Sequence, residues 1–218
     1  MSDQFEKWST FYTEADQKIL RYPNEPLARV MKGSYIPGLD KNYKGKKVLD
    51  IGFGHGNNLF FLNTLGFELY GTEVQEEICL LVMDRLKSFG ISSDLRYGVN
   101  QELPFIDNMF DALVSWDVLH YEEKDEDIHL ALKEYKRVLV PGGRLFLSTV
   151  APKSSVLRYA QELGGNSFLL GREDDFRKGV SFYCCESQEK LKALLFGKAS
   201  AKKNIFGFKK RKKIDSSN

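Results

Sequence analysis

Between Val48 and Asn57 the chain reads VLDIGFGHGN. A short run suited to a buried strand leads into three glycines at alternate positions, and a helical apolar pattern follows. Glycine tolerates positive φ and lets another group come close to the main chain. In open α/β sheets, ligands sit at the carboxyl ends of strands, near the point where strand order reverses. Glu73 ends the next strand, and a carboxylate there can accept hydrogen bonds from both hydroxyls of a ribose. Taken alone, the glycine segment also fits a plain strand-to-helix turn.

The surrounding pattern places this turn in a repeating α/β frame. Asn24-Glu25-Pro26 reads as a helix start, with the helix running to Lys32 and stopped by Gly33, and Gly38 to Gly45 reads as a loop. Strands are expected over residues 47–51, 68–73, 94–99, 111–115 and 144–150. Helices are expected over 57–65, 76–89 and 125–139. Strands alternating with helices of 10 to 15 residues imply a parallel, doubly wound sheet. Beyond Val150 the rhythm loosens. Residues 154–163 are expected to be helical and 164–179 to form a charged loop, and Ser187 is expected to cap a last helix over 188–196.

Composition narrows the class. At 218 residues the chain suits one α/β domain. Three cysteines, two of them adjacent, do not suggest a disulfide framework or a zinc site, and no metal is expected. The first residues are polar and no apolar run approaches the roughly 20 residues that span a bilayer, so the expectation is a soluble cytoplasmic protein. Residues 198–218 hold eight Lys or Arg and one Asp, so the net charge of +2 conceals an acidic body. An acidic body argues against nucleic acid as the main partner.

A dinucleotide-binding turn would read G-x-G-x-x-G. Here the third glycine comes one residue early and Asn57 occupies its place. The segment VLDIGFGHGNN, with the acid of GTEV, resembles the first two motifs of class I S-adenosylmethionine-dependent methyltransferases. The resemblance continues in GVNQELPF with DNMFD, in WDVLH and in LVPGGRL, which are similar to successive motifs of the methyltransferase-11 type. It covers about residues 46–150 and implies a Rossmann-like fold, S-adenosylmethionine as cofactor and methyl transfer as activity. The domains expected are an N-terminal helical cap (1–45), the methyltransferase domain (46–196, with 151–185 as an acceptor-side insertion) and a basic tail (197–218).

The resemblance also implies residue roles. Gly52, Phe53, Gly54 and Gly56 would form the turn under the methionine part, with Asp50 supporting it and reaching the amino group. Glu73 would take the ribose hydroxyls and Val74 would pack on adenine. Asn100 and Gln101 would flank the adenine edge, and Asp117 would face the methionine part and the acceptor. The family's adenine-binding acid is replaced by Val99, and the side-chain carbonyl of Asn100 is the expected substitute.

A sulfonium methyl is already activated, so alignment of the acceptor does most of the work. His120, after the fourth strand, is the candidate general base, against a packing role at the same junction. Tyr12 and Arg21 in the N-terminal segment, and Arg172 and Arg177 in GREDDFRKG, are candidate substrate contacts; Arg forks suit carboxylate and phosphate. The expected acceptor is a small molecule, an anionic metabolite or a surface-sugar precursor. The alternatives are an RNA methyltransferase and a non-catalytic S-adenosylmethionine-binding module. The chain has Asp117-Val118-Leu119-His120 where base-modifying amino-methyltransferases carry a proline pair. The run KKRKK at 209–213 cannot be a buried strand, so the sheet is expected to lack its usual last strand, leaving an edge that a second chain could cover as a homodimer.

Overall fold

The computed structural model describes residues 22–175 and 177–196. Helix α1 (Glu25–Lys32) leads into β1 (Lys47–Ile51), α2 (Asn57–Thr64), β2 (Glu68–Glu73), α3 (Glu76–Ser88), β3 (Ser93–Tyr97), β4 (Phe110–Ser115), α4 (Asp125–Val138) and β5 (Leu139–Leu147). These five strands form one parallel sheet in the order β3-β2-β1-β4-β5. The order reverses between β1 and β4, and the glycine turn leaves the carboxyl end of β1 at that point.

Alternation along β1 divides the core. Val48 joins Leu27 and Met31 of α1, Leu59 and Leu62 of α2, and Ile78, Val82 and Leu86 of α3 on one face. Leu49 and Ile51 face the opposite way, toward Ile128, Ala131, Tyr135 and Val138 of α4 and the apolar side of α5 (Gln188–Phe196). Both faces of the sheet are thus covered, as a parallel sheet requires. The fold is the α/β, Rossmann-like, doubly wound architecture expected from the sequence.

Beyond the sheet the structure departs from expectation. Residues 154–163 do not form a helix. They make a 3-10 turn at Ser155–Leu157 and then strand β6 (Gln161–Gly164), which pairs antiparallel with β7 (Ser167–Leu169), itself paired with β8 (Ser181–Tyr183). Gly164, Gly165 and Asn166 have φ of 89°, 58° and 68°. Three consecutive left-handed residues end any helix and close a hairpin. The supposed charged loop of 164–179 therefore contains β7. Val150, Leu170, Val180, Phe182 and Cys184 form a separate small core under this sheet. β5 also begins earlier than expected: its ladder to β4 jumps from Phe110–Leu139 to Ala112–Arg144, so the Pro-Gly-Gly segment bulges out and the pairing resumes.

β5 is paired only with β4 among the described residues. The expected short strand and basic run of the C-terminal tail lie outside the described residues, and so does most of the expected N-terminal cap. None of the described helices is long and apolar enough to cross a membrane.

Helix α1 precedes every motif of the glycine-turn frame, yet Leu27 and Met31 are fully buried in the main core. Met31→Ala should cost about 2–5 kcal/mol by cavity formation, read as a lower urea midpoint. An unchanged midpoint would show that α1 is not part of the cooperative core.

Candidate functional site

The turn after β1 is built on three left-handed glycines. Gly52, Gly54 and Gly56 have φ of 61°, 52° and 75°. A Cβ at Gly52 would come within 2.6 Å of a Val118 methyl, and one at Gly56 equally close to a Val82 methyl. Both positions therefore need glycine for conformation and for space. The Gly52 amide donates to the Thr72 carbonyl at 2.8 Å. The Gly54 amide donates to Glu73 Oε2 at 3.0 Å and the Val74 amide to Oε1 at 3.1 Å. Glu73 thus holds the turn from the tip of the neighbouring strand.

Asp50 lies beneath it, 1% exposed. Its Oδ2 is buried and has no hydrogen-bond partner among the described residues. Burial, and then the nearby Glu73 charge, push its carboxyl well above the ordinary value of 3.8. Burial also raises Glu73, opposed by the two backbone amides. An unanswered buried carboxylate oxygen is costly unless a donor or cation meets it. Phe53 is buried against Gly71 and the core, so its side chain serves packing. Val74 is half-buried at the tip of β2.

Asp117, at the end of β4, has φ of 59°. Its amide donates to Ser148 Oγ and that hydroxyl donates back to its Oδ1, both at 2.7 Å. Asn24 bridges the start of α2 and the turn after β4. Its side-chain amide donates to Asp117 Oδ2 at 3.3 Å and its backbone amide to Asn58 Oδ1 at 3.0 Å. Asn24 stands at the N-cap position of α1, in keeping with the helix start expected there, but its side chain makes no capping bond. Neither Asn24 nor Ser148 carries a local signal of this role, because both act across long separations.

Asn100 and Gln101 follow β3 and both meet Glu122. Asn100 Nδ2 donates to Glu122 Oε1 at 2.6 Å, and Gln101 Nε2 donates to Oε2. The Tyr135 hydroxyl donates to Asn100 Oδ1 at 2.8 Å and lies 3.1 Å from Ser115 Oγ. Asn100 was expected to offer its carbonyl to adenine; that carbonyl is already engaged by a buried tyrosine. Burial raises the Glu122 carboxyl, and the two amides work against that rise.

His120 lies in a 3-10 turn at Leu119–Tyr121 and is 3% exposed. Its ring sits 4.6 Å from that of Tyr121 and 4.3 Å from that of Phe182. Burial, and then the Arg177 charge, lower it to about 3. The imidazole is neutral near pH 7 and weakly basic, which suits a packing role better than proton abstraction. Arg172 grips Asp174 with two bonds and Arg177 grips Asp175 likewise. Arg177 also lies 5.6 Å over the Phe182 ring. Both forks are engaged by neighbours in the loop. Tyr12 and Arg21 lie outside the described residues. No cluster of metal-ligating side chains occurs among the described residues.

Residues 49–147 match the family model described as Methyltransferase domain. The chain is 31% identical over 143 residues to the ubiquinone/menaquinone biosynthesis C-methyltransferase UbiE of Burkholderia multivorans, covering 64% of this chain and 57% of that protein. It therefore spans little more than half the length of that relative. Among solved structures, a SAM-dependent methyltransferase from Methanosarcina mazei superposes with a TM-score of 0.63 at 19% identity, covering 80% of this chain and 83% of that one. The PH0226 protein of Pyrococcus horikoshii OT3 superposes with a TM-score of 0.60 at 23% identity, covering 78% and 76%. The fold is the one these solved methyltransferase structures share, and residues 49–147 are the part that matches the methyltransferase domain model. Family and neighbours together imply S-adenosylmethionine as the cofactor.

The site fits that cofactor. Asp50 offers an unanswered carboxylate oxygen to an ammonium group, Glu73 offers acceptors to ribose hydroxyls, and the glycines leave room against the main chain. Holding an unpaired acid for a ligand costs stability in the ligand-free protein. With its folded pKa raised, Asp50 favours the folded state most below the ordinary value of 3.8, and this contribution is lost as pH rises through the raised value. Asp50→Asn should therefore raise the urea midpoint of the ligand-free protein at pH 7, with the gain shrinking toward pH 3, while weakening cofactor binding. A lower midpoint at pH 7 would show that the carboxylate is satisfied in the folded chain.

Proposed function

We propose that this protein transfers a methyl group from S-adenosylmethionine to a small-molecule acceptor. The observation that carries the reading is the buried Asp50 oxygen without a partner, beside Glu73 and beneath the three left-handed glycines at the strand-order switch. Asp50 would receive the amino group of the methionine part and Glu73 the ribose hydroxyls. Gly52, Gly54 and Gly56 would let the methionine part lie against the turn, and Val74 would pack on the base. Asp117, fixed by Ser148 and Asn24, borders the side on which an acceptor would approach.

When bound, the cofactor supplies an activated methyl group on a sulfonium. The protein's share is to align the acceptor nucleophile opposite the departing sulfur and to exclude water. A carboxylate or free amine acceptor needs no base. A hydroxyl or carbon acceptor would need one, and His120 would have to come out from its ring contacts to serve.

The acceptor side lies near the carboxyl ends of β4 and β5, where the β6–β8 sheet packs through Phe182 on the His120–Tyr121 turn. An anionic metabolite or a surface-sugar precursor would engage Arg172 or Arg177 by displacing Asp174 or Asp175. The absence of a proline pair after β4 weighs against the base-modifying amino-methyltransferase reading.

Two measurements test this. Glu73→Ala should weaken binding of S-adenosylhomocysteine by about 1–3 kcal/mol in calorimetry; unchanged affinity would remove Glu73 from the ribose site. Incubation with methyl-labelled S-adenosylmethionine and separated metabolite and RNA fractions should label the metabolite fraction. Label in RNA alone would overturn the small-molecule reading. Cofactor binding with no labelled fraction would favour a binding module.

A further inference from the structure

β3 is an edge strand. It pairs with β2 and with no other strand among the described residues. Which of its main-chain groups are free follows from the bond just beyond its end. The Gly98 amide donates to the Glu73 carbonyl at 3.0 Å, and Glu73 stands opposite Tyr97 in the parallel register. The main-chain groups of Asp94 and Arg96 therefore point to β2, and those of Ser93, Leu95 and Tyr97 point away from the sheet. Side chains alternate between the two faces. Leu95 is buried in the core shared with α2 and α3. Asp94 and Arg96 lie on the other face, where the Arg96 guanidinium stands 4.7 Å over the Phe105 ring.

A free edge invites pairing, and charges along it normally discourage that. Here the charges leave one exception. Arg96 grips Asp94 with two bonds, of 2.8 and 2.7 Å. The edge thus carries one negative and one positive group on the same face, on either side of Leu95. A second β3 laid antiparallel about Leu95 sets Asp94 against Arg96 of the other copy, and Arg96 against its Asp94. In-register parallel pairing would set like against like. In the antiparallel register the outward-facing Leu95 groups bond to each other. The Asp94–Arg96 pairs then fall at the positions between those bonds, where facing side chains come closest. Tyr97, 58% exposed, is set across from the small Ser93.

We propose that β3 is a self-association edge: two copies of this chain join β3 to β3, antiparallel and centred on Leu95, and their two sheets become one continuous sheet. The partner is a second copy because its charges match this edge at both positions. The contact lies at the edge away from β5, not at the C-terminal edge that the sequence suggested. Because the two strands run in opposite directions, the two glycine turns open at opposite ends of the joined sheet. The proposal does not depend on the cofactor reading.

Light scattering on the full-length protein should show a dimer that dissociates on dilution. Asp94→Arg sets a cation against Arg96 of the other copy and should raise the dissociation constant by about tenfold or more. Combining Asp94→Arg with Arg96→Asp restores opposite signs and should recover the dimer. Amide hydrogen exchange gives an independent readout. The Leu95 amide, which faces the free edge, should exchange faster on dilution, while the Arg96 amide, which faces β2, should stay protected throughout. Thermal unfolding checks that each variant folds. Arg96 also donates to the Pro104 carbonyl, so if the double variant does not fold, Asp94→Arg and the Leu95 amide decide. A monomer at every concentration would overturn the proposal. So would a dimer whose Leu95 exchange ignores concentration, since the contact would then lie on another face. An Asp94→Arg dimer as tight as the wild type would overturn the charge-matched register.

Discussion

Two acidic side chains side by side at the carboxyl end of a parallel sheet set the terms for the rest of this molecule. Glu73 is answered by the amides of Gly54 and Val74, whereas Asp50 has one oxygen that nothing in the described chain meets. Burying two like charges is unfavourable, and the protein tolerates it by letting the first tie down the glycine turn and leaving the second in need of a donor. The left-handed turn, the close contacts of Val118 and Val82 on its glycines, and the switch in strand order all serve to place backbone where a side chain would have filled the space. An unanswered buried acid costs stability, an arrangement common at functional sites.

Around that centre the chain joins segments that are far apart in sequence. The loop after β3 is fastened to the turn after β4 through Glu122, and the turn after β4 is fastened to β8 through the contact of His120 and Phe182. The loop after β3, the turn after β4 and the added antiparallel sheet are therefore joined by direct contacts. Arg172 and Arg177, each gripped by an aspartate two residues away or nearby, rigidify the segment between β7 and β8 as it stands. An acceptor that used either guanidinium would have to compete with a carboxylate already in place.

The legible part of the sequence was the part governed by short-range rules. The apolar run of β1, the alternate glycines and the helix stop at Gly33 each depend on neighbours within a few residues, and they predicted the central sheet and its turn closely. The stretch 154–163 misled because Val156, Leu157, Ala160 and Leu163 mimic a helical face, while the Gly164-Gly165-Asn166 corner that converts it to a hairpin exerts its effect from one end. Glu122, Ser148 and Tyr135 escaped notice for a different reason. Their partners lie 20 to 35 positions away, as the Tyr135–Ser115 and Tyr135–Asn100 bonds illustrate, and no periodicity encodes a contact of that kind. His120 was legible as a residue in the right place, but its enclosure by two rings follows only from the unexpected sheet.

Asn24 makes α1 a brace for the strand-order switch. Leu27 and Met31 root the body of α1 in the core, and the residue just before it is bonded to Asn58 at the start of α2 and to Asp117 after β4. β1 and β4 already pair in the sheet, so this third attachment joins a helix from ahead of the sheet to the turns at both of their carboxyl ends. A substitution at Asn24 would therefore be felt on both sides of the switch at once, although the residue itself lies before every strand.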